Sequence, residues 1–337
     1  MALIGSGSEQ GYDSLVGVGE ETGLGTHKTA SAFICFLSES LQETSEEQMV
    51  ECMNGTRDFT RRLLGNVNVS GNIEAPLNPG EDAVIMIIAN AMGGTVTSAV
   101  LEVGANGHTI DAGRITDGDV PSLSITKRIG SAAKYQYDGC RVNQLTISAE
   151  QGGFAQISAE IAGSKSTACT DSLTTAYTDL HPVNFTGCKV YIAATTSALF
   201  SGTSENVVQS VEVSINNNLA TDAASRRLGS RYLDVLPAGR REVRVKMNQR
   251  FDTTTAMSAA RVNTPYAIGI DFDSEQSVTA NYNYKLRLTL PRCYYNMPDP
   301  STSEMGILTQ EIDFSAIRST TTSYAIQAYA INGTAGY

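Results

Sequence analysis

The residues that could do chemistry in this chain lie far apart. The stretch Gly23-Leu-Gly-Thr-His-Lys-Thr29 superficially looks like a phosphate-cradling loop. That loop needs a glycine directly before the lysine and another five residues before that one, so that backbone amides can face the phosphate. His27 and Thr22 stand in those places, and a strand rather than a helix is expected to follow. Gly17, Gly19 and Gly23 miss the dinucleotide-binding spacing by one residue. The three histidines, His27, His108 and His181, have no second ligand at helical or hairpin spacing, which argues against a zinc site. His108 and Asp111 could belong to a Ser-His-Asp set, yet no Gly-x-Ser-x-Gly elbow accompanies them. Asp271 and Asp273 share one face of an expected strand and could pose as an acid/base pair, but they lack clustered partners. No catalytic, cofactor-binding or metal-binding residue is assigned, and no enzymatic activity is expected.

The elements that would carry such residues are mostly strands. Residues 140–150 set Val142, Leu145, Ile147 and Ala149 against Thr146, Ser148 and Glu150, and residues 155–161 set Ala155, Ile157, Ala159 and Ile161 against Gln156, Ser158 and Glu160. A two-residue period gives a strand with one apolar and one polar face. Gln151-Gly-Gly153 is the turn between them. Further strands are expected at 188–193, 207–215, 242–251, 267–272, 284–290 and 308–317. One helix stands out, residues 81–92, where Val84, Ile87, Ile88 and Ala91 form an apolar stripe that should pack on a sheet. Glu81 and Asp82 would complement its positive start, and Gly93-Gly94 would end it. Residues 39–54 are acidic and read as a short helix or an exposed arm.

The pattern is doubled. Residues 66–75 lead through Pro76 and Pro79 into the helix and then the 140–163 hairpin; residues 242–251 lead into a weaker helical stretch at 253–262 and a hairpin spanning 284–317. The expected division is a flexible arm at 1–14, a first unit at 15–165, a Thr/Ser-rich connection at 166–185 and a second unit at 186–337.

Composition narrows the function. At 337 residues the chain can bury a real core, and its charged fraction of 18% is low against the ~25% usual for soluble proteins. A net charge of −11 argues against non-specific nucleic-acid binding. The local exception is Arg226, Arg227, Arg231, Arg240, Arg241, Arg244, Lys246 and Arg250, read as a solvated or inter-subunit charge face with a nucleic-acid contact as the alternative. The six cysteines have no close pairs and read as free thiols, a Cys169–Cys188 disulfide being the alternative. The start Met-Ala-Leu-Ile-Gly-Ser lacks the regions of a signal peptide, so folding in a cytoplasm is expected. No apolar run approaches the ~20 residues that span a bilayer, and no membrane insertion is expected.

Read in order, several phrases resemble tail tube proteins (major tail proteins) of long-tailed bacteriophages. They are Val16-Gly-Val-Gly-Glu-Glu-Thr-Gly-Leu-Gly-Thr26 with Ser38-Glu-Ser-Leu41, Gly71-Asn-Ile-Glu-Ala-Pro76 with the helix, and Tyr137-Asp-Gly-Cys-Arg-Val-Asn-Gln-Leu-Thr-Ile-Ser148. Val208-Gln-Ser-Val-Glu-Val-Ser-Ile-Asn-Asn217, Tyr284-Lys-Leu-Arg-Leu-Thr-Leu-Pro291 and Glu311-Ile-Asp-Phe314 continue the likeness in the second half. The resemblance implies a mainly β sandwich or barrel with a flanking helix, here as two tandem tube-fold units. It also implies a structural virion protein whose rings stack into a tube that conducts DNA without binding it. Three chains per ring with pseudo-sixfold symmetry are expected, six being the alternative. Partners would be tape-measure, tail terminator and distal tail proteins, in a virion tail assembled in the host cytoplasm. Glu150, Ser158, Glu160, Glu311 and Asp313 are the residues expected to face the lumen. The competing reading is a cell-surface or secreted β-sandwich binding module.

Overall fold

Alternating side chains do make strands of most of this chain. The computed structural model describes residues 11–53, 55, 57–94, 96–112, 120–130, 133–169, 171–173, 181–202, 204–205, 207–251, 262–296 and 307–337. The first half holds β1 (Leu15–Glu20), β2 (Ala32–Ile34), β3 (Ser38–Glu39), β4 (Gln42–Met49), β5 (Arg62–Pro76) and α1 (Asp82–Met92). It continues with β6 (Val96–Glu102), β7 (Ala105–Asp111), β8 (Leu123–Ile129), β9 (Ala133–Glu150), β10 (Gln156–Gly163) and β11 (Lys165–Ala168). The second half holds β12 (Cys188–Ala193), β13 (Val208–Asn216), β14 (Glu242–Arg250), β15 (Tyr266–Ser277), β16 (Asn283–Asn296), β17 (Thr309–Ala316) and β18 (Gln327–Asn332).

All the ladders are antiparallel, and their order repeats. In the first half β1 pairs with β8, β8 with β9, β9 with β10, β10 with β5 and β5 with β4. In the second, β12 pairs with β15, β15 with β16, β16 with β17, β17 with β14 and β14 with β13. Two ladders cross between the halves. β13 lies along β9, from Ser210 opposite Glu150 to Asn216 opposite Gln144. β18 lies between β16 and β7, with Ala330 opposite both Leu286 and His108. The apolar faces of both halves meet in one cluster that includes Val16, Ile88, Leu145, Val213, Phe272, Phe314 and Ala330.

The helix is buried more completely than a one-sided stripe predicts. Every residue of α1 except Asp82 and Met86 is buried, because β1 and β2 cover one side while β9 and β13 cover another. Gly93 ends it in the left-handed region (φ 61°), where its amide turns back to the last carbonyls. Glu81 does not play the expected role at the helix start. It makes no side-chain cap, and its carboxylate instead accepts from the Cys35 amide at 3.4 Å. Asp82 is fastened from the far end of the chain, accepting from Thr334 Oγ1 at 2.6 Å and Tyr337 Oη at 2.8 Å.

Other expectations change as well. Among its described residues the acidic segment after Ser38 contains no helix; the exposed arm, the other reading, is the one the structure agrees with, and it is the strand β4, exposed along its whole length and paired with β5. The Thr/Ser-rich connection begins as a strand, β11, paired with the start of β9. All six cysteines are free, in agreement with the first reading of their spacing, and Cys169 and Cys188 are not bonded. Of the N-terminal arm, Gly11–Asp13 forms a 3-10 turn in which Asp13 accepts from Arg128 at 2.6 Å. Residues 1–10, residues 253–261 of the weaker helical stretch and the 297–306 part of the second hairpin lie outside the described residues. Among the described residues no helix is long and apolar enough to cross a membrane.

Burial pushes the Glu81 carboxyl up to about 7, from an ordinary value of 4.5. The folded chain therefore holds a proton that the unfolded chain releases near pH 4.5, and this contribution to stability is lost as pH rises from 4.5 through 7. At ~1.4 kcal/mol per pKa unit the loss is about 3 kcal/mol. Glu81→Gln should be more stable than the parent at pH 8 by up to that amount and nearly equal to it at pH 4.5, as read from urea midpoints.

Candidate functional site

Among the described residues no constellation for covalent chemistry comes together. The Gly23–Thr29 loop already wraps a carboxylate of its own. Glu21 accepts from the Gly25 amide (2.9 Å), the Gly139 amide (2.8 Å) and the hydroxyls of Ser122 (2.6 Å) and Ser124 (2.8 Å). An amide that holds Glu21 is not offered to a phosphate. His27 bridges Asp138 through Nδ1 at 2.9 Å and Asp171 through Nε2 at 3.1 Å. His108 is fully buried and meets Ser98 Oγ and Asn332 Oδ1, each at 2.8 Å, rather than Asp111. Asp111 accepts from Gln327 at 2.7 Å. His181 stacks on Tyr284 with ring centroids 4.2 Å apart. Asp271 is ion-paired with Arg287 at 3.2 Å and Lys285 at 3.4 Å, and Asp273 with Lys285 at 3.0 Å. Two carboxylates neutralised in this way fasten β15 to β16. Among the described residues no group of three His, Cys, Asp or Glu side chains could hold a metal ion.

What the fold builds instead is a broad polar surface. Paired residues on neighbouring strands share a face, so the ladders β5–β10–β9–β13–β14–β17 carry one polar row into the next. Ser158 stands between Glu74 and Thr146; Thr146 faces Ser214, Ser214 faces Arg244, and Arg244 faces Ser315. One row along, Gln156 faces Ser148, which faces Glu212, then Lys246, then Asp313. The other face of these strands carries Ile157, Ile147, Val213, Val245 and Phe314, all buried.

The five residues singled out in the sequence, Glu150, Ser158, Glu160, Glu311 and Asp313, all fall on the polar face. Glu150 ends β9 opposite Ser210. Ser158 exchanges hydrogen bonds with Asn72 at 3.0 and 3.1 Å. Glu160 accepts from Asn143 at 3.1 Å. Glu311 lies opposite Asn248, and Asp313 receives Arg244 at 3.3 Å. Glu74, Glu212 and Glu242 belong to the same face, and against these acids stand Arg244, Lys246 and Arg250 of β14. Sequence periodicity within two hairpins located five of these groups. The rest needed the β9–β13 register, which no local pattern reveals.

The basic cluster also reads differently in three dimensions. Arg226 donates to Val67 O at 3.2 Å and to Asn68, and Arg231 donates to Gly65 O at 2.8 Å. Arg241 donates to Met92 O at 2.6 Å and Ala112 O at 2.5 Å. Rather than standing free on a solvated face, these three clamp the β13–β14 connection onto the first half and the end of α1.

The fold is a mainly β chain with a shared core and one polar sheet face running across six strands. The family model for the phage tail tube protein matches residues 11–316, and the chain belongs to that family as a structural tail tube protein. No curated protein matches it.

The two kinds of arginine should separate on substitution. Arg241→Ala leaves two carbonyls without their charged donor and should cost about 2–4 kcal/mol. Arg244→Ala removes a pair that is half exposed, and should cost less than about 1 kcal/mol. Urea denaturation of both variants checks the contrast.

Proposed function

We propose that each chain supplies two sectors of the tube wall, so that three chains close a ring of six sectors and the rings stack into the tail tube. The observation that carries this reading is the repeated order of ladders, with the β9–β13 ladder as a seam inside one chain. β4 holds in the first half the position that β13 holds in the second, paired only with β5 or β14 on its inner side. Its outer edge lies open along Gln42–Met49. A long open edge is a template for another strand, and the β16–β17 hairpin of the next chain is its counterpart by the same order. The seam within the chain is thus the pattern for seams between chains.

The polar face is the surface turned to the lumen in this reading, and DNA is its passing content. Acids outnumber bases on it, and serine, threonine and asparagine fill the spaces between. A polyanion moving along such a wall meets repulsion and weak hydrogen bonds rather than cation clusters. Tape-measure, terminator and distal tail proteins complete the tail, which assembles in the host cytoplasm.

Cryo-electron microscopy of assembled tubes should show three chains per ring, with Ser158, Glu160 and Glu311 on the inner wall. Six chains per ring would remove the two-sector claim, and an outward polar face would remove the lumen assignment. In the double variant Glu160→Lys and Glu311→Lys, tubes should still form but should retain duplex DNA at low ionic strength. Equal DNA release by the variant and parent tubes would count against an acidic lumen.

A further inference from the structure

His27 stands between two carboxylates that belong to different parts of the chain. Its Nδ1 lies 2.9 Å from Asp138 Oδ1 on β9, and its Nε2 lies 3.1 Å from Asp171 Oδ2 in the connection between the halves. The side chain of Asp138 is 1% exposed and that of Asp171 10%, while His27 at 29% stays open to solvent. A carboxylate only accepts hydrogen bonds, and a neutral imidazole carries a single N–H. Both contacts are therefore made together only by the charged ring, with a proton on each nitrogen.

The two acids depend on that ring unequally. Asp138 also accepts from Gln136 Nε2 at 2.9 Å and from Ser124 Oγ at 3.1 Å, and Lys165 Nζ of β11 lies 4.0 Å away. Ser124 is shared with Glu21, the third acid of this cluster, which has the Gly25 and Gly139 amides as further donors. Among the described residues the Asp171 carboxylate has His27 as its donor, since Lys134 Nζ reaches the main-chain oxygen of Asp171 instead, at 3.1 Å. A ring that loses one proton can satisfy just one of its two acids. Asp138 is fixed inside β9 and cannot turn to water, whereas Asp171 lies close enough to the surface to do so.

We propose that His27 is a proton-operated latch on the connection between the halves. Charged, it holds Asp171 against the first half beside Asp138, and Leu173, two residues on, stays buried. Neutral, the ring keeps its Nδ1–H on Asp138, turns a lone pair towards Asp171 and releases that carboxylate to water, because a partly buried acid without a donor costs more than a hydrated one. The latch adds stability while the ring is charged. That contribution is lost as pH rises out of the range in which histidine holds its second proton, ~6.5 for the free side chain. The device acts within one chain and does not depend on how rings form.

The test is a double-substitution cycle on the full chain, read as urea midpoints at pH 6 and at pH 8.5. At pH 6 Asp171→Asn should lower the midpoint by about 0.5 M, the size expected for loss of a charge-assisted hydrogen bond. In the His27→Gln background it should lower the midpoint no further. At pH 8.5 Asp171→Asn and the parent should coincide. Glu81 titrates over the same span in every variant, so the comparison between variants cancels it. A midpoint that Asp171→Asn lowers equally at both pH values, or at neither, would overturn the latch, and so would a deficit at pH 6 that persists in His27→Gln. If His27→Gln does not fold, Asp171→Asn against the parent at the two pH values decides alone.

Discussion

Backbone amides and carbonyls in a strand must find partners, and the ladder between β9 and β13 is where that requirement joins the two halves. Without β13, the outer half of β9 would be an open edge over an apolar core. At the inner end of this ladder the sheet and helix are tied together. Asn90 accepts from the Val142 amide at 2.8 Å, and Asn217 donates to Ala91 O and Val142 O at 2.9 Å each. One asparagine from the helix and one from the end of β13 thus fix the height of α1 over the sheet. Both polar rows and the single core follow from that fixed placement.

Much of this was legible in the sequence because it is local. Val142, Leu145 and Ile147 alternate with polar neighbours, and they lie on the buried face of β9. Val84, Ile87 and Ile88 recur at helical spacing in a helix that Gly93 ends. The same alternation placed Glu150, Ser158, Glu160, Glu311 and Asp313 on the polar face. What escaped depends on partners distant in sequence. The exposure of β4 agrees with the arm that the sequence offered beside a helix, but its glutamates carry no period of their own, and only its ladder with β5 makes it a strand. The arginines at 226, 231 and 241 looked like a charge face because their partners are main-chain carbonyls more than a hundred residues away. Glu81 looked like a helix-start charge, and burial changes its protonation instead.

The electrostatic design of the polar face lies in small residues as much as in charge. Ser148, Thr146, Ser158 and Ser214 occupy its centre beside Glu212, and Glu150, Glu160, Glu311 and Asp313 stand around them. Lys246 and Arg244 each lie beside an acid, Glu212 or Asp313. Solvent and neighbouring opposite charge weaken the field that either cation presents. Short side chains also keep this face smooth.

β18 carries a consequence for how the molecule comes into being. It fills the slot between β16 and β7, and its Asn332 meets His108 across 224 positions of sequence. During synthesis the β6–β7 ribbon emerges early and must wait, one edge bare, until nearly all later strands have been made. Contacts of such separation in sequence form slowly. The first half therefore reaches its final form only after the second has been translated.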